Sequence, residues 1–281
     1  METIESILEM KAWSSTTKAQ GKKIAFVPTM GYLHKGHLEL IKKAKERCPR
    51  VVSSIFVNPK QFGPSEDYAN YPRNLERDRE LAEWAGTDVL FVPKAEEMYP
   101  EDYSTYVEVE ELSDVLCGAS REGHFKGVAT VVMKLFNIVQ PYEAFFGEKD
   151  AQQLIIIRKM IKDLNMDIKI ISVPTIRETD GVALSSRNKY LNEEERKQAV
   201  CLYQSILRAK EMIDSGERSA EKIKAGMEKV IKEKPLAGID YIEIVDASKL
   251  KKLDSISGRV LVALSVKIGK ARLIDNIMVE V

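Results

Sequence analysis

Short apolar runs rich in β-branched and aromatic residues recur along the first 175 residues, and stretches of helical spacing separate them. The runs are "KIAFV" (Lys23 to Val27), "VVSSIFV" (Val51 to Val57), "DVLFVP" (Asp88 to Pro93), "EAFFG" (Glu143 to Gly147) and "DIKIISVP" (Asp167 to Pro174). Between them, a helix is predicted from about Gly36 to Arg47. Two more are marked by Val128, Val131, Val132, Leu135, Phe136 and Val139, and by Leu154, Ile157, Ile161 and Leu164. Strands that are apolar throughout are buried on both faces, as in a parallel sheet covered by helices on each side. The alternation predicts an α/β fold, a Rossmann-like doubly wound parallel sheet, over residues 1–175.

The pattern changes after Thr175. "RETDGVALSSRNKYL" is polar and turn-rich, and "NEEERKQAVCLYQSILRAKEMIDSG" reads as one long amphipathic helix with acids in its first turn. A second helix is predicted from Ala220 to Lys232, followed by three strands in "IDYIEIVD", "RVLVALSVKIG" and "ARLIDNIMVEV". Residues 176–281 are therefore expected to form a smaller C-terminal α+β domain.

Composition limits the partners. The chain has 281 residues, 44% hydrophobic and 31% charged, with 43 basic residues against 43 acidic. A zero net charge argues against nucleic acid or an anionic membrane as partner. The longest apolar runs are too short to span a bilayer. "METIESILEMKAW" reads as an amphipathic helix rather than a signal peptide. Cys48, Cys117 and Cys201 are scattered and odd in number, which suggests a reducing compartment and a cytoplasmic protein.

Neither G-x-G-x-x-G nor G-x-x-x-x-G-K-[ST] occurs. In their place, "PTMGYLHKGH" sets two of three histidines in a glycine-bearing turn between a strand and a helix. The first N–H groups of a helix lack intrahelical partners and its dipole is positive there, so such a turn suits an anion. Two surface histidines without function, or a three-His metal site of His34, His37 and His124, are the alternatives on these residues alone. "FVNPKQFGPSEDYANYPR" sets Asn58, Gln61 and Tyr71 after the second strand. "FFGEKDAQQL" sets Gly147, Lys149, Asp150 and Gln153 at another strand-to-helix passage, and "LSSRN" offers two hydroxyls and a guanidinium near the domain junction. Open α/β sheets bind ligands at these strand ends.

Together "PTMGYLHKGH", "FVNPKQFG", "REGHFKGVATVV", "FFGEKDAQQL" and "ALSSRN" resemble the pantothenate synthetase (pantoate–β-alanine ligase) family, in order and across nearly the whole chain. H-x-G-H alone marks only the wider nucleotidylyltransferase and class I tRNA-synthetase superfamily. Tyr32, Lys35 and Lys60 are the variable positions inside these motifs. The resemblance implies a soluble homodimer that uses ATP with Mg²⁺. Pantoate becomes pantoyl adenylate and pyrophosphate, and β-alanine then displaces AMP to give pantothenate.

The resemblance also implies roles. His37 is the proton donor near the leaving pyrophosphate, with His34 and Lys149 beside the phosphates. Met30, Gly31, Tyr32, Leu33, His34, Lys35, Gly36 and His37 line the ATP site. Gly147, Glu148, Lys149 and Asp150 line its nucleoside side, and Ile176 holds adenine through its backbone. Leu184, Ser185, Ser186 and Arg187 form a loop over the triphosphate. Gln61 and Gln153 bind pantoate, and Gln61 also meets β-alanine. Arg121 matches a basic loop position and Asp78 a candidate Mg²⁺ contact. Residues 176–281 act as a lid, with "SSRN" and the junction near Thr175 as its moving parts.

Overall fold

The computed structural model describes residues 1–64 and 66–281. They divide into two compact units. One comprises residues 1–114, 118–148 and 152–174; the other comprises 115–117, 149–151 and 175–281.

The first unit holds six parallel strands. These are β1 (Glu2–Ile4), β2 (Ile24–Thr29), β3 (Arg50–Ile55), β4 (Val89–Phe91), β5 (Glu143–Gly147) and β6 (Lys169–Val173), in the order β1-β4-β3-β2-β5-β6. The chain winds from β2 outward to β3 in one direction and from β5 to β6 in the other. The winding therefore reverses between β2 and β5, where Ala25 pairs with Glu143 and Phe26 with Ala144.

Among the helices that join or flank these strands are α1 (Ile7–Ala19), α2 (Lys35–Arg47), α3 (Leu75–Ala85), α4 (Ala95–Met98), α5 (Cys117–Ser120), whose first residue belongs to the second unit, and α6 (His124–Val139). Alternate residues of β2 are buried on opposite faces. Ala25 and Val27 pack with Leu38 and Ile41 of α2, whereas Phe26 meets Phe136 of α6 edge to face at 6.3 Å. Burying one such phenylalanine stabilises the fold by about 1.5–3 kcal/mol. This two-sided burial is why the strands read as unbroken apolar runs.

Helix α7 (Ala151–Asp163) follows β5 after a short 3₁₀ turn at Glu148–Asp150. In the second unit, α8 (Glu193–Gln198), α9 (Val200–Asp214) and α10 (Ala220–Lys232) precede an antiparallel sheet of β7 (Ala237–Asp246), β8 (Arg259–Ile268) and β9 (Ala271–Glu280). Leu202, Ile206, Ile223, Met227, Val262 and Leu264 lie in its shared core.

The helix expected over residues 192–216 is two helices. A capping box of Asn192 and Glu195 starts α8, and Ala199 ends it. There the Leu202 N–H bonds the Ala199 carbonyl, three residues back, so the backbone tightens before α9. The N-terminal stretch is also divided: residues 2–4 pair with β4 at the sheet edge, and only from Ile7 is the chain helical, capped by the Ser6 hydroxyl. Cys48, Cys117 and Cys201 are buried free thiols. Among the described residues no helix is long and apolar enough to cross a membrane.

Candidate active site

The turn from β2 to α2 lacks regular structure, and side chains take up the backbone donors of Gly31 to His34 and of Gly36. Gly31 N–H donates to the Thr29 hydroxyl at 3.1 Å, and that hydroxyl donates to the Ser54 carbonyl at 2.8 Å. Tyr32 N–H and Leu33 N–H donate to the two carboxylate oxygens of Asp78, at 2.6 and 2.7 Å. His34 N–H donates to His37 Nδ1 at 3.3 Å, and Gly36 N–H to His34 Nδ1 at 3.2 Å. The two histidines thus form the capping box of α2, a role more often taken by hydroxyl and carboxylate side chains.

This geometry fixes the imidazole tautomers. Each Nδ1 accepts a backbone N–H, so in the neutral ring the proton sits on Nε2. The rings stack at 4.0 Å between centroids and 34° between planes. Both histidines are half-buried, unlike ordinary surface histidines.

Asp78 is buried, and burial pushes its carboxyl up from the ordinary aspartate range while the Leu33 and Tyr32 N–H groups and Arg77 pull it down. Its two oxygens accept backbone N–H groups of the β2–α2 turn.

After β3 the chain enters a 3₁₀ turn, Pro59–Gln61, capped by Asn58. Asn58 is 1% exposed and uses its whole amide. Its Oδ1 accepts from Lys60 N–H and the Tyr99 hydroxyl at 3.3 and 2.8 Å. Its Nδ2 donates to the Gly127 carbonyl and Gln61 Oε1, both at 3.1 Å. A backbone N–H only donates and a carbonyl only accepts, so the Asn58 amide has one orientation, and so has that of Gln61. Gln61 Nε2 is turned to Met30 Sδ at 3.1 Å, a weak acceptor. Burial pushes the Tyr99 hydroxyl up, so it stays a donor.

The Gln61 backbone is held as well. Its carbonyl accepts from His124 Nδ1 at 2.8 Å, and Arg121 donates to His124 Nε2 at 2.8 Å. His124 therefore carries its proton on Nδ1, the tautomer opposite to that of His34 and His37. Arg121 also grips Glu66 through two bonds at 2.6 and 2.7 Å. Burial alone would raise the Glu66 carboxyl, but the Arg121 bonds and charge outweigh it and hold the carboxyl down at about 2. Among the described residues no group of three or more His, Cys, Asp or Glu side chains is placed to hold a metal ion, so the three histidines are not a triad. Tyr71 is buried against Phe62 and serves packing.

Gly147 closes β5 beside the winding reversal, and Gln153 lies half-buried in the first turn of α7. Its neighbour Gln152 points away, donating to the Leu112 carbonyl at 2.9 Å.

The second unit carries the remaining candidates. Lys149 lies 3.7 Å from Asp150, and its carbonyl accepts from Asn276 Nδ2 at 2.8 Å. The Ile176 carbonyl accepts from Leu184 N–H at 2.9 Å, which leaves a second lone pair. Ser185 caps the turn at 186–190 by accepting from Arg187 N–H at 3.3 Å, and Asn188 ties that turn to the Ala183 carbonyl. The loop before it is anchored to β9 by Arg177, whose two bonds to buried Asp275 measure 2.7 and 2.8 Å.

Comparison with known proteins identifies the family. The family model described as pantoate-beta-alanine ligase matches residues 2–278. The chain belongs to the pantoate–β-alanine ligase family. It is 56% identical over 281 residues to the pantothenate synthetase of Heliobacterium modesticaldum, with 100% of each chain covered. It is 57% identical over 280 residues to that of Fervidobacterium nodosum, again with 100% of each covered. The crystal structure of the Thermus thermophilus pantothenate synthetase superposes with a TM-score of 0.93 at 46% identity, covering 99% of both chains. The Francisella tularensis pantoate-beta-alanine ligase, solved with "Beta-gamma ATP" and beta-alanine, gives 0.81 at 37% identity, covering 99% of this chain and 97% of that one.

Within this pantoate–β-alanine ligase fold, the structure sets Gln61 against Met30 and His34 against His37 in the first unit, and Ser185 against Arg187 in the second. Reading the sequence missed Thr29, Tyr99 and Gly127 as supports of these residues, and missed α3, which delivers Asp78. A signal for α3 was present: Asn74 as cap, acids at Glu76 and Asp78, and Gly86 beyond its end.

Proposed function

We propose that this chain catalyses the ATP-dependent condensation of (R)-pantoate with β-alanine, through pantoyl adenylate, to pantothenate, AMP and pyrophosphate. Beyond family membership, one observation carries the reading. Two stacked imidazoles cap a helix N-terminus at the reversal of the sheet, each keeping its proton on Nε2. An N–H donor held this way needs no rearrangement when charge builds on a phosphoryl oxygen.

In the first step a pantoate carboxylate oxygen attacks the α-phosphorus of ATP, and the bond from that phosphorus to the bridging oxygen breaks. His37 donates its Nε2 hydrogen bond to the departing pyrophosphate, which leaves with the electron pair of the broken bond as an anion and takes no proton from the neutral ring. His34 and Lys149 stabilise its charge. Met30 to His37 and Gly147 to Asp150 receive the nucleotide, Ile176 meets adenine through its backbone, and Leu184 to Arg187 serve the triphosphate. Gln61 and Gln153 hold pantoate. The Gln61 amide presents donors, so a substrate oxygen displaces the weak Met30 sulfur contact. In the second step the free amine of β-alanine, also met by Gln61, attacks the acyl carbon. AMP leaves with the electron pair of the broken mixed-anhydride bond, and the new amide loses a proton to solvent or to a basic side chain.

Mg²⁺ enters as the magnesium complex of ATP. That ion keeps much of its water and is commonly held through substrate phosphates, so it requires no cage of protein carboxylates. The proposal extends to a cytoplasmic homodimer, consistent with three free thiols, and to a water-excluding role for residues 176–281. The test is pantoate-dependent exchange of labelled pyrophosphate into ATP without β-alanine, followed by AMP release once β-alanine is added. Exchange without pantoate, or AMP release indifferent to β-alanine, would move the assignment to another nucleotidyl transfer.

A further inference from the structure

Asp78 reaches from α3 into the β2–α2 turn and grips its backbone. It is 1% exposed, and its oxygens accept Tyr32 N–H at 2.6 Å and Leu33 N–H at 2.7 Å. These lengths are at the short, charge-assisted end of the range. The backbone it holds is strained at one residue: Tyr32, with a full side chain, has φ +50°, next to Gly31, which takes its φ of +83° freely. Left-handed conformations of this kind persist only where surrounding contacts over-determine them. Successive N–H groups in such a turn form a concavity that attracts anions, and here the chain's own carboxylate fills it. Arg77 Nη1 stands 3.4 Å from Asp78 Oδ1, and its guanidinium lies 5.2 Å from the Tyr32 ring, so a second contact braces the same residue. The next donor along the chain, His34 N–H, is the one His37 accepts.

We propose that Asp78 is a positioning residue: by clamping Tyr32 and Leu33 it sets the register in which His34 and His37 cap α2 and so keeps both imidazoles in the Nε2–H form. Burial raises its carboxyl despite two backbone donors, so the ionised group costs stability at neutral pH. Fold stability alone does not account for a carboxylate here. The consequence for turnover rests on the assignment of these histidines to the phosphates; the consequence for tautomers does not.

The experiment compares the full-length protein with Asp78→Asn, which keeps the shape but sets an amide donor against one backbone N–H. Gly31→Ala is a second variant, because its added Cβ would lie 3.1 Å from Asp78 Oδ2 and 2.9 Å from Ile55 Cγ2. Long-range proton–nitrogen correlation spectra read the ring tautomers without any substrate. Only three histidines are present, and His124, held in the opposite tautomer by Arg121, is the internal control. The expected result is mixed tautomers for His34 and His37 with His124 unchanged. Pyrophosphate exchange at saturating ATP should fall about 10- to 100-fold, on the scale of misplacing a catalytic group by about 1 Å, with the Mg²⁺ midpoint unmoved. Wild-type tautomers in a folded Asp78→Asn variant would overturn the proposal, and a raised Mg²⁺ midpoint beside them would assign the carboxylate to the metal instead. Mixed tautomers in a chain whose wild type performs no exchange would uphold the clamp and remove the functional reading.

Discussion

Gly127→Ala tests whether the proposed pantoate side of the site depends on backbone contact between α6 and the Pro59–Gln61 turn. A methyl group built on Gly127 would lie 2.2 Å from the Lys60 carbonyl oxygen and 2.7 Å from Gln61 Cα, whereas ordinary contact begins near 3.4 Å. Both neighbours are backbone, so neither can rotate away, and helix and turn must part by about 1 Å. Overpacking of this kind costs about 1–3 kcal/mol. The Asn58 Nδ2 bond to the Gly127 carbonyl, now 3.1 Å, would lengthen beyond bonding range and forfeit about 1 kcal/mol more. Helix propensity acts the other way, since alanine is favoured over glycine in a helix by about 1 kcal/mol. The expected outcome is net destabilisation with a lower urea midpoint. The pantoate KM should rise tenfold or more, because Gln61 and Asn58 move together, while the ATP KM changes little. Initial rates of AMP release at varied pantoate and varied ATP, together with urea titrations, measure both. A variant as stable as wild type, or more so, with its pantoate KM intact would refute the packing argument.

His37→Ala should lower pyrophosphate exchange about 10²-fold, the scale of losing one transition-state donor, and lower stability by about 1 kcal/mol through loss of the cap on His34 N–H. Normal single-turnover adenylation in the folded variant would remove His37 from the chemistry. Gln153→Ala should weaken pantoate more than ATP, and equal losses for both in isothermal titration would place the residue elsewhere. Glu66 sets an acid dependence. Its folded value of about 2 lies below the ordinary 4.5, so the stability from its Arg121 pair is complete above about 4.5 and is lost as pH falls toward 2. Glu66→Gln should flatten the fall in stability across that window by up to about 3 kcal/mol; parallel curves for the two proteins would contradict the pairing.

The sheet was legible wherever strands are buried on both faces, because β2, β3, β4 and β5 leave short, largely apolar runs, with Ser53 and Ser54 of β3 small enough to be buried among them. Strand β1 was hidden by its length of three residues, too few for any period. The break at Ala199 was hidden because apolar residues keep helical spacing across it. Helix α3 was overlooked because its buried positions are Asp78, Ala82 and Ala85, one of them charged and two small, amid a charged surface. Motif spacing marked His34, His37 and Gln61 as candidates, since strand and helix ends bring neighbours in sequence together. Their supports come from afar: Tyr99 reaches Asn58 across 41 positions and Gly127 across 69. No local pattern encodes such pairs. Nor does a motif state which nitrogen of an imidazole carries its proton; that follows only from the donors facing it.

The central position of β2 bears on the order in which the molecule is made. On one side Ala25 pairs with Val51, within the same βαβ unit that contains the histidine turn; on the other it pairs with Glu143, far along the chain. Loop-closure entropy favours the near pairing first. A nascent chain can therefore build the histidine cap early while one edge of β2 stays open and apolar, a surface prone to association with other chains. Only when β5 arrives is that edge closed and Gly147 brought beside the winding reversal. Truncations ending before residue 143 should on this account be aggregation-prone during synthesis, so the strand that closes the winding reversal also protects the newborn protein from its neighbours.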